Sequence, residues 1–473
     1  MTPGIKKFGP VPGRITLGQG AFDTPPPRYV IEEYFISGQA KRYQMASPPA
    51  GLALAEAGTA LFKTRLLTVR PATPKAFNGI VLVEWLNVSG GTDAAPEWNY
   101  LHREVVRGGF AYVGVSAQKI GLDGSATGIP GILPVKQADP DRYGSLEHPG
   151  DAYAFDIFSQ AARLALATGQ GGILGDLPPR HIIAMGESQS ASFLTTYVNL
   201  LDPLDKIFDG YLIHSRFRGA APINGNYVLS IQNRDPTYAE PNVTISPAVR
   251  VPVLMFISET DLMAPLIGYL PARQADTARI RTWEVAGTAH ADTYVMLGAT
   301  IDTGTASIEA LATAFTPIST FFGQVLDRPI NAAPQHHYVL QAALDALVKW
   351  VSTGQAPAST PRLAANDGFR PSLMTDALGN ALGGIRSPWV DAPTARLSGL
   401  GQPPGGFAML FGSTAPFAPS TLARLYPGGW QDYSGKFSTA LSDAISSGHI
   451  LAADQAEILA LAAVLWPQRL LEN

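Results

Sequence analysis

Short apolar runs recur along the first part of the chain and alternate with a stretch of helical periodicity. The runs span 29–43, 64–70, 80–85 and 111–116. Between the last two, Trp98, Leu101 and Val105 recur at the spacing of one helix face. Strands that alternate with crossover helices are typical of a mostly parallel sheet covered by helices on both faces. The pattern therefore predicts an α/β fold.

The same alternation continues beyond residue 150. A helix is predicted from Asp151 and ends before Gly169. Further strands are predicted at 182–185, 211–214, 253–257 and 281–286, and helices at 339–351, 417–427, 433–447 and 452–465. The segment 266–280, between two of these strands, is long enough for one crossover helix.

Three segments, 119–150, 217–247 and 300–335, are rich in loop-forming residues or lack clear periodicity. Ligands of α/β folds bind where the strands end, so these segments are expected to be lid or pocket insertions. Residues 355–473 exceed what the core needs, and no flexible linker precedes them. We therefore expect a single unit over 28–473, with a helical extension packed on the core.

Composition narrows the function classes. The chain has 473 residues, of which 46% are hydrophobic and 15% charged, which is typical of a globular protein with a large core. The net charge of −4, without a basic stripe, argues against nucleic acid or a membrane surface as a partner. The most apolar tail, 449–466, is interrupted by Asp454 and Glu457, so no membrane-spanning helix is expected. No signal peptide is apparent, which leaves the cytoplasm, or secretion after signal removal, as alternatives.

No cofactor is expected from the motifs. The chain has no cysteine, which excludes disulfides, thiolate nucleophiles and cysteine metal sites. His336 and His337 are adjacent and would diverge in any regular element, so they predict no metal site. Gly435-Lys436 is followed by Phe437 rather than Ser or Thr, so no phosphate loop is predicted either.

Residues 181–192 predict a strand, a sharp turn and a helix, with a serine at the turn. The apolar run 182–185 stops at Gly186, Ser188 follows with the small residues Gly186 and Ser190 two positions away on either side, and a helical apolar pattern comes next. A G-x-S-x-G elbow holds its serine in a strained conformation above a sheet, and small neighbours make this possible. The last position here is Ser190 rather than glycine, which is still small. Ser188 is therefore the candidate nucleophile.

A serine nucleophile needs a histidine base and a carboxylate that orients the histidine. In the α/β-hydrolase fold the chain order is Ser, then Asp or Glu, then His, with the last two after later strands. The apolar run 253–257 leads into Glu259 and Asp261, and the run 281–286 leads to His290. Asp261 is the preferred acid, because it lies at the spacing before Pro265 that such loops usually show, and Glu259 is the alternative.

Acyl transfer also needs donors aimed at the developing oxyanion. One is expected to be the backbone N–H of Gln189, the residue after the nucleophile. The other is expected from the glycine-containing loop 86–91, where Val88 or Ser89 is the candidate donor.

Several sequence blocks resemble a large family of α/β-hydrolase-domain proteins. The blocks are 83–91 (VEWLNVSGG), 111–118 (AYVGVSAQ), 148–153 (HPGDAY), 186–190 (GESQS) and 376–386. The resemblance covers roughly residues 28–465, so it implies that the C-terminal part belongs to the same unit. It also implies a serine esterase-like activity, with Ser188, Asp261 or Glu259, and His290 at the matching positions.

The resulting hypothesis is a carboxylic ester hydrolase that forms an acyl-enzyme and acts on a small-molecule ester without a cofactor. An amidase, lactonase or acyltransferase with the same triad is the first alternative. A non-catalytic binding protein on the same fold is the second. The acyl and alcohol groups of the substrate and the oligomeric state stay open.

Overall fold

A nine-stranded sheet forms the centre of the structure. Its strands are β1 (Lys6–Phe8), β2 (Tyr29–Met45), β3 (Leu54–Pro71), β4 (Ile80–Trp85), β5 (Ala111–Val115), β6 (His181–Glu187), β7 (Gly210–His214), β8 (Val253–Ile257) and β9 (Ile280–Glu284). They lie in the order β1-β2-β3-β5-β4-β6-β7-β8-β9. The six strands from β5 to β9 in this order pair in parallel, and β1, β2 and β3 pair in antiparallel fashion. The predicted α/β fold with a mostly parallel sheet is confirmed.

The computed structural model describes residues 4–17, 25–46, 54–125, 131–227, 240–321, 324–366, 371–404 and 407–467. The three predicted pocket segments extend over gaps between these ranges. Residues 126–130, 228–239 and 322–323 of those segments therefore lie outside the described residues, as do 367–370, 405–406 and 468–473 of the C-terminal part.

Helices cover both faces of the sheet. They are α1 (Pro96–Gly108), α2 (Lys119–Asp123), α3 (Val135–Ala138), α4 (Pro140–Tyr143), α5 (Ala154–Leu166), α6 (Gln189–Thr196), α7 (Asp202–Asp205), α8 (Glu259–Met263), α9 (Thr293–Ile301), α10 (Ile308–Thr313), α11 (Gln335–Thr353), α12 (Pro388–Asp391), α13 (Pro419–Leu425), α14 (Trp430–Ser446) and α15 (Gln455–Val464). A π-helical turn, Tyr197–Leu201, joins α6 to α7. Two small antiparallel pairs complete the fold, β10 (Thr320–Phe321) with β11 (Gln324–Val325) and β12 (Ala395–Ser398) with β13 (Ser413–Pro416).

Successive side chains of the central strands enter opposite apolar layers, as strand geometry requires. On β4, Leu82 belongs to the layer that contains α1 and α11, whereas Val81 belongs to the layer that contains α5 and α6. On β6, Ile183 and Ala184 divide in the same way. Both faces of these strands are buried, which explains why their sequences read as continuous apolar runs.

The C-terminal helices pack on the same body as the sheet. Leu441 of α14 and Leu461 of α15 lie in the apolar layer that also holds Leu340 of α11. Two ion pairs join α1 to this region, from Arg103 to Glu457 and from Arg107 to Asp454. Residues 355–473 thus share one core with the sheet as far as they are described.

Two expectations from the sequence are wrong. The boundary at residue 28 is too late, because β1 pairs with β2 and belongs to the central sheet; a three-residue strand is too short to show periodicity. The segment 266–280 contains a single 3-10 turn, Leu270–Ala272, rather than a crossover helix. Pro265 and Pro271 explain this, since proline lacks the N–H that a helix interior requires. Among the described residues, no helix has the length and apolarity needed to cross a membrane.

Candidate active site

The strand–turn–helix prediction at Ser188 matches the local structure. β6 ends at Glu187, α6 begins at Gln189, and Ser188 between them has φ +61° and ψ −119°. A positive φ is strained for a residue with a Cβ, and such strain persists only where the surroundings enforce it. A Cβ on Gly186 would lie 3.1 Å from the Cβ of Ser190, which is tight, so glycine is favoured where helix and strand approach. Ser190 fits as the off-pattern last residue because the helix needs only a small side chain there.

The structure brings Ser188, His290 and Asp261 together. His290 Nε2 lies 2.8 Å from Ser188 Oγ, and His290 Nδ1 lies 2.5 Å from Asp261 Oδ1. The three side chains come from the turn after β6, the loop after β9 and the first turn of α8. All three residues are buried.

Asp261 is oriented by the N-terminus of α8. Its backbone N–H donates to Ser258 Oγ, and its Oδ2 accepts from the Ser258 N–H at 2.7 Å, which completes a capping box. This leaves Oδ1 for His290. Burial alone would raise the pKa of Asp261, but His290 and the Ser258 hydrogen bonds outweigh it and hold that pKa below its usual range.

Glu259 points away from His290. Its carboxylate accepts from the backbone N–H of Gly287 at 2.6 Å, from the N–H of Gly399 at 2.8 Å and from the Ser398 hydroxyl at 3.1 Å. Burial raises the pKa of Glu259 to about 7. Glu259 therefore ties the turn after β9 to the C-terminal region, whereas Asp261 alone of the two acids contacts the histidine.

Glu187 is a site residue that the sequence reasoning missed. Its Oε1 lies 3.1 Å from His290 Nε2, the same nitrogen that faces Ser188. The Asn87 side-chain N–H donates both to Glu187 Oε2 at 3.1 Å and to its backbone oxygen at 3.0 Å. Its position in the sequence could have indicated this role, because it places a carboxylate directly before the nucleophile, at the end of a strand in the middle of the sheet.

Two carboxylates thus surround the imidazole of His290. Burial lowers the pKa of His290, but the attraction of Glu187 and Asp261 is larger, so that pKa is raised above its usual value. Burial raises the pKa of Glu187 to about 8, and His290 opposes this rise. The raised pKa of His290 requires an ionised Glu187, whereas the raised pKa of Glu187 favours its protonated carboxyl form. The two side chains therefore compete for one proton.

The oxyanion donors can be compared from the backbone. The Gln189 N–H is at the first position of α6, where an amide has no partner within its own helix. The Ser89 N–H donates to the side-chain oxygen of Asn87 at 2.8 Å. The Val88 N–H makes no hydrogen bond to another described residue. Of the two candidates from this loop, the geometry favours Val88 because the Ser89 amide already has an acceptor.

A buried polar cluster lies beside the elbow. The Ser188 N–H donates to the His214 backbone oxygen at 3.0 Å. The ring of His214 contacts His336, Nε2 to Nε2 at 2.9 Å, and Glu97 at 3.3 Å. Within the described ranges, no group of three or more His, Cys, Asp or Glu side chains is arranged to hold a metal ion.

The fold and the site can be compared with known proteins. Solved structures that resemble this chain include a cold-adapted esterase from an Arctic intertidal metagenomic library, with 12% identity, a TM-score of 0.29, and coverage of 57% of this chain and 91% of that one. Esterase Est22 has 14% identity, a TM-score of 0.31, and coverage of 61% and 80%. Acetyl xylan esterase 1 from Thermoanaerobacterium sp. JW/SL YS485 has 14% identity, a TM-score of 0.29, and coverage of 55% and 81%.

With identities and TM-scores this low, these likenesses say nothing of the substrate of this chain. No curated protein matches it in sequence. A sequence model of the family described as "Alpha/beta hydrolase domain" matches residues 7–460, which is nearly the whole chain. The chain belongs to the alpha/beta hydrolase domain family.

Proposed function

We propose that the protein is a serine carboxylic ester hydrolase. The observation that carries this proposal is the continuous hydrogen-bonded chain from Ser188 Oγ through His290 to Asp261, with distances of 2.8 Å and 2.5 Å. Acyl transfer through a covalent intermediate requires a serine nucleophile, a base that is hydrogen-bonded to its hydroxyl and a carboxylate that is hydrogen-bonded to the base.

In this mechanism, His290 Nε2 takes the proton of Ser188 as Oγ attacks the ester carbonyl. The N–H groups of Gln189 and Val88 donate hydrogen bonds to the carbonyl oxygen and stabilise the negative charge that develops on it. His290 then gives the proton to the departing alcohol, and an acyl-Ser188 ester remains. Water enters, His290 takes one of its protons, and the water oxygen bonds to the acyl carbon. His290 then returns that proton to Ser188 Oγ as the bond between Oγ and the acyl carbon breaks and the carboxylic acid is released. Asp261 stabilises the imidazolium and keeps the hydrogen of the neutral ring on Nδ1.

The surroundings of His290 support an ester of apolar character. The ring of Phe217 stacks on the imidazole, with centroids 5.0 Å apart and an angle of 16° between the planes. Phe217 lies in a buried apolar cluster with Ile267, which follows the acid, and with Leu410, from the C-terminal region. The Leu410 backbone oxygen accepts from the N–H of Ala291, directly after the histidine. We expect short or medium apolar acyl groups to react faster than charged ones.

Replacement of Ser188 tests the proposal. Ser188→Ala is expected to lower turnover of p-nitrophenyl acetate by at least about 10³-fold, since the loss of a triad serine removes the nucleophile itself. Ser387→Ala is a matched control, because Ser387 is buried as Ser188 is, and its hydroxyl has no partner among the described residues. Substantial turnover by Ser188→Ala, with correct folding shown by circular dichroism, would refute the assignment.

Two further readouts separate the alternatives. A fluorophosphonate probe should label the wild-type protein and leave Ser188→Ala unlabelled; a non-catalytic protein would not be labelled in either form. Addition of a primary alcohol at constant ester concentration should leave the acid as the main product. Accumulation of a new ester instead would identify an acyltransferase, and faster turnover of an anilide than of its ester would identify an amidase.

A further inference from the structure

His290 Nε2 has two partners, although a general base for serine needs only one. Ser188 Oγ lies 2.8 Å away and Glu187 Oε1 lies 3.1 Å away. A neutral imidazole nitrogen without hydrogen has one lone pair, and a protonated one has a single N–H. The two partners therefore compete for the same atom.

Asn87 decides which oxygen of Glu187 can carry a hydrogen. Its side-chain nitrogen donates to Glu187 Oε2 and to the Glu187 backbone oxygen. Its own side-chain oxygen is occupied by the Ser89 N–H, which fixes the orientation of the amide group. Because Oε2 accepts a hydrogen bond from Asn87, the hydrogen of a protonated Glu187 resides on Oε1, the oxygen that faces His290.

We propose that Glu187 is a second carboxylate of His290, which shares one proton with Nε2 and thereby decides at which pH this nitrogen can accept the proton of Ser188. The inference rests on the proposed function, because it concerns the same base. With one proton in the pair, either Oε1–H donates to Nε2 or Nε2–H donates to Oε1. In both arrangements the lone pair of Nε2 is unavailable to Ser188.

Loss of that proton to water makes the base available. Nε2 then holds a free lone pair, Ser188 O–H donates to it, and Glu187 and Asp261 are both carboxylates. When the serine proton moves to Nε2, the imidazolium lies between these two anions. The carboxylate of Glu187 therefore strengthens the base and moves the pH at which it becomes free upwards.

Two other carboxyl groups near Glu187 also raise its pKa, whereas His290 and the Asn87 hydrogen bond lower it. Asp261 on α8 and Glu97 on α1 both raise the pKa of Glu187, in addition to the larger effect of burial. Tyr100 on α1 interacts electrostatically with Glu187 and Asp261, but burial raises its pKa far above the usual value, so it adds no charge. His214 on β7 is kept neutral by burial and by His336, which hold its pKa far below the usual value. His290 is thus the cation that compensates Glu187.

The experiment is the pH dependence of the second-order rate of fluorophosphonate labelling, which reports the ionisation of the free enzyme. It is measured from about pH 5 to about pH 9 for the wild type, Glu187→Gln and Glu97→Gln. In Glu187→Gln the amide oxygen keeps the Asn87 hydrogen bond and its NH₂ faces Nε2, which favours neutral imidazole. This NH₂ competes with Ser188 for the lone pair at every pH, so it lowers the maximal rate, and the readout is the pH of the acid limb rather than that maximum. Glu97 is a matched control: it is also buried, its pKa is likewise about 8, and its carboxylate contacts His214 instead of His290.

We expect the acid limb of Glu187→Gln to lie about one pH unit below that of the wild type, because a carboxylate in contact with the imidazole shifts it by that order. Glu97→Gln should move the limb by less than half as much. Equal limbs in the wild type and Glu187→Gln, or an equal shift in both variants, would overturn the proposal. Absence of labelling in the wild type would instead refute the proposed function.

A second measurement needs neither activity nor an altered Glu187. In Ser188→Ala with isotope-labelled histidine and glutamate, NMR should show His290 and Glu187 titrating over the same pH range, above the usual value of roughly 6.5 for histidine. A His290 that titrates at the usual value, with Glu187 ionised throughout, would contradict the sharing of one proton even if every Glu187 variant failed to fold.

Discussion

The two acids after β8 can be separated by one pair of substitutions, Asp261→Asn and Glu259→Gln. Asparagine at 261 keeps an oxygen for the Ser258 N–H, and its NH₂ then faces His290 Nδ1. The imidazole must therefore place its hydrogen on Nε2, where it can no longer accept the proton of Ser188. Reversal of the tautomer in a Ser-His-Asp triad lowers kcat by about 10⁴-fold. At about 1.4 kcal/mol per tenfold, this corresponds to about 5.5 kcal/mol in the barrier.

Glu259→Gln should affect folding stability more than kcat. Its carboxylate accepts from Gly287, Gly399 and Ser398, and hydrogen bonds to a charged group contribute about 1.5–3 kcal/mol each. Glutamine presents one oxygen and one NH₂ to these three donors, so part of this stabilisation is lost. This loss opposes the gain from no longer burying a charge, the cost of which raises the pKa of Glu259. The free energy of unfolding is therefore expected to change by no more than about 1–3 kcal/mol, whereas kcat per folded protein stays within about tenfold of wild type.

The assay is p-nitrophenyl acetate hydrolysis, with kcat normalised to the folded fraction measured by circular dichroism. Both measurements are made at about pH 8, where Glu259, with a pKa of about 7, is mostly ionised. A loss of kcat in Glu259→Gln as large as that in Asp261→Asn would refute the reasoning. So would an Asp261→Asn protein that keeps more than a tenth of wild-type kcat.

Two further predictions concern stability. Burial raises the pKa of Glu97 to about 8, so its protonated form stabilises the fold at low pH, and this contribution is lost as pH rises through that value. In urea unfolding, Glu97→Gln should therefore gain stability relative to wild type between about pH 5 and about pH 9. A difference in stability that does not change with pH would contradict the burial argument. A Cβ on Gly399 would lie 2.5 Å from both Thr260 N and Thr288 O, so Gly399→Ala should destabilise the fold by about 1–3 kcal/mol or more in thermal unfolding. A Cβ on Gly435 would have no atom within 4 Å, so Gly435→Ala should not destabilise it. Equal melting temperatures of the two variants would refute this prediction.

Sequence periodicity predicted the central strands well because both of their faces are buried. β4 and β8 have the predicted limits, since a strand covered on two sides must be apolar at every position. Short or polar elements gave no such signal. β1 has three residues, and the 3-10 turn after α8 lies in a segment whose prolines exclude a helix but do not specify what replaces it.

Spacing favoured Asp261 over Glu259 but left Glu259 open as an alternative. Both lie in the first turn of α8, and residues two apart on a helix point in different directions. Which of them meets His290 depends on how α8 sits against the loop after β9. The capping box turns the Asp261 carboxylate towards that loop, whereas Glu259 reaches the backbone of Gly399, which is far away in sequence.

By itself the sequence determined the α/β class, the strained turn at Ser188 and the order of serine, acid and histidine along the chain. These follow from local patterns, which are set by backbone sterics and by which faces are buried. Only the tertiary structure decided that Glu187 lies against His290 and that Asn87 binds Glu187. Those contacts join residues about a hundred positions apart, and their distances depend on the register of parallel strands that no local pattern encodes.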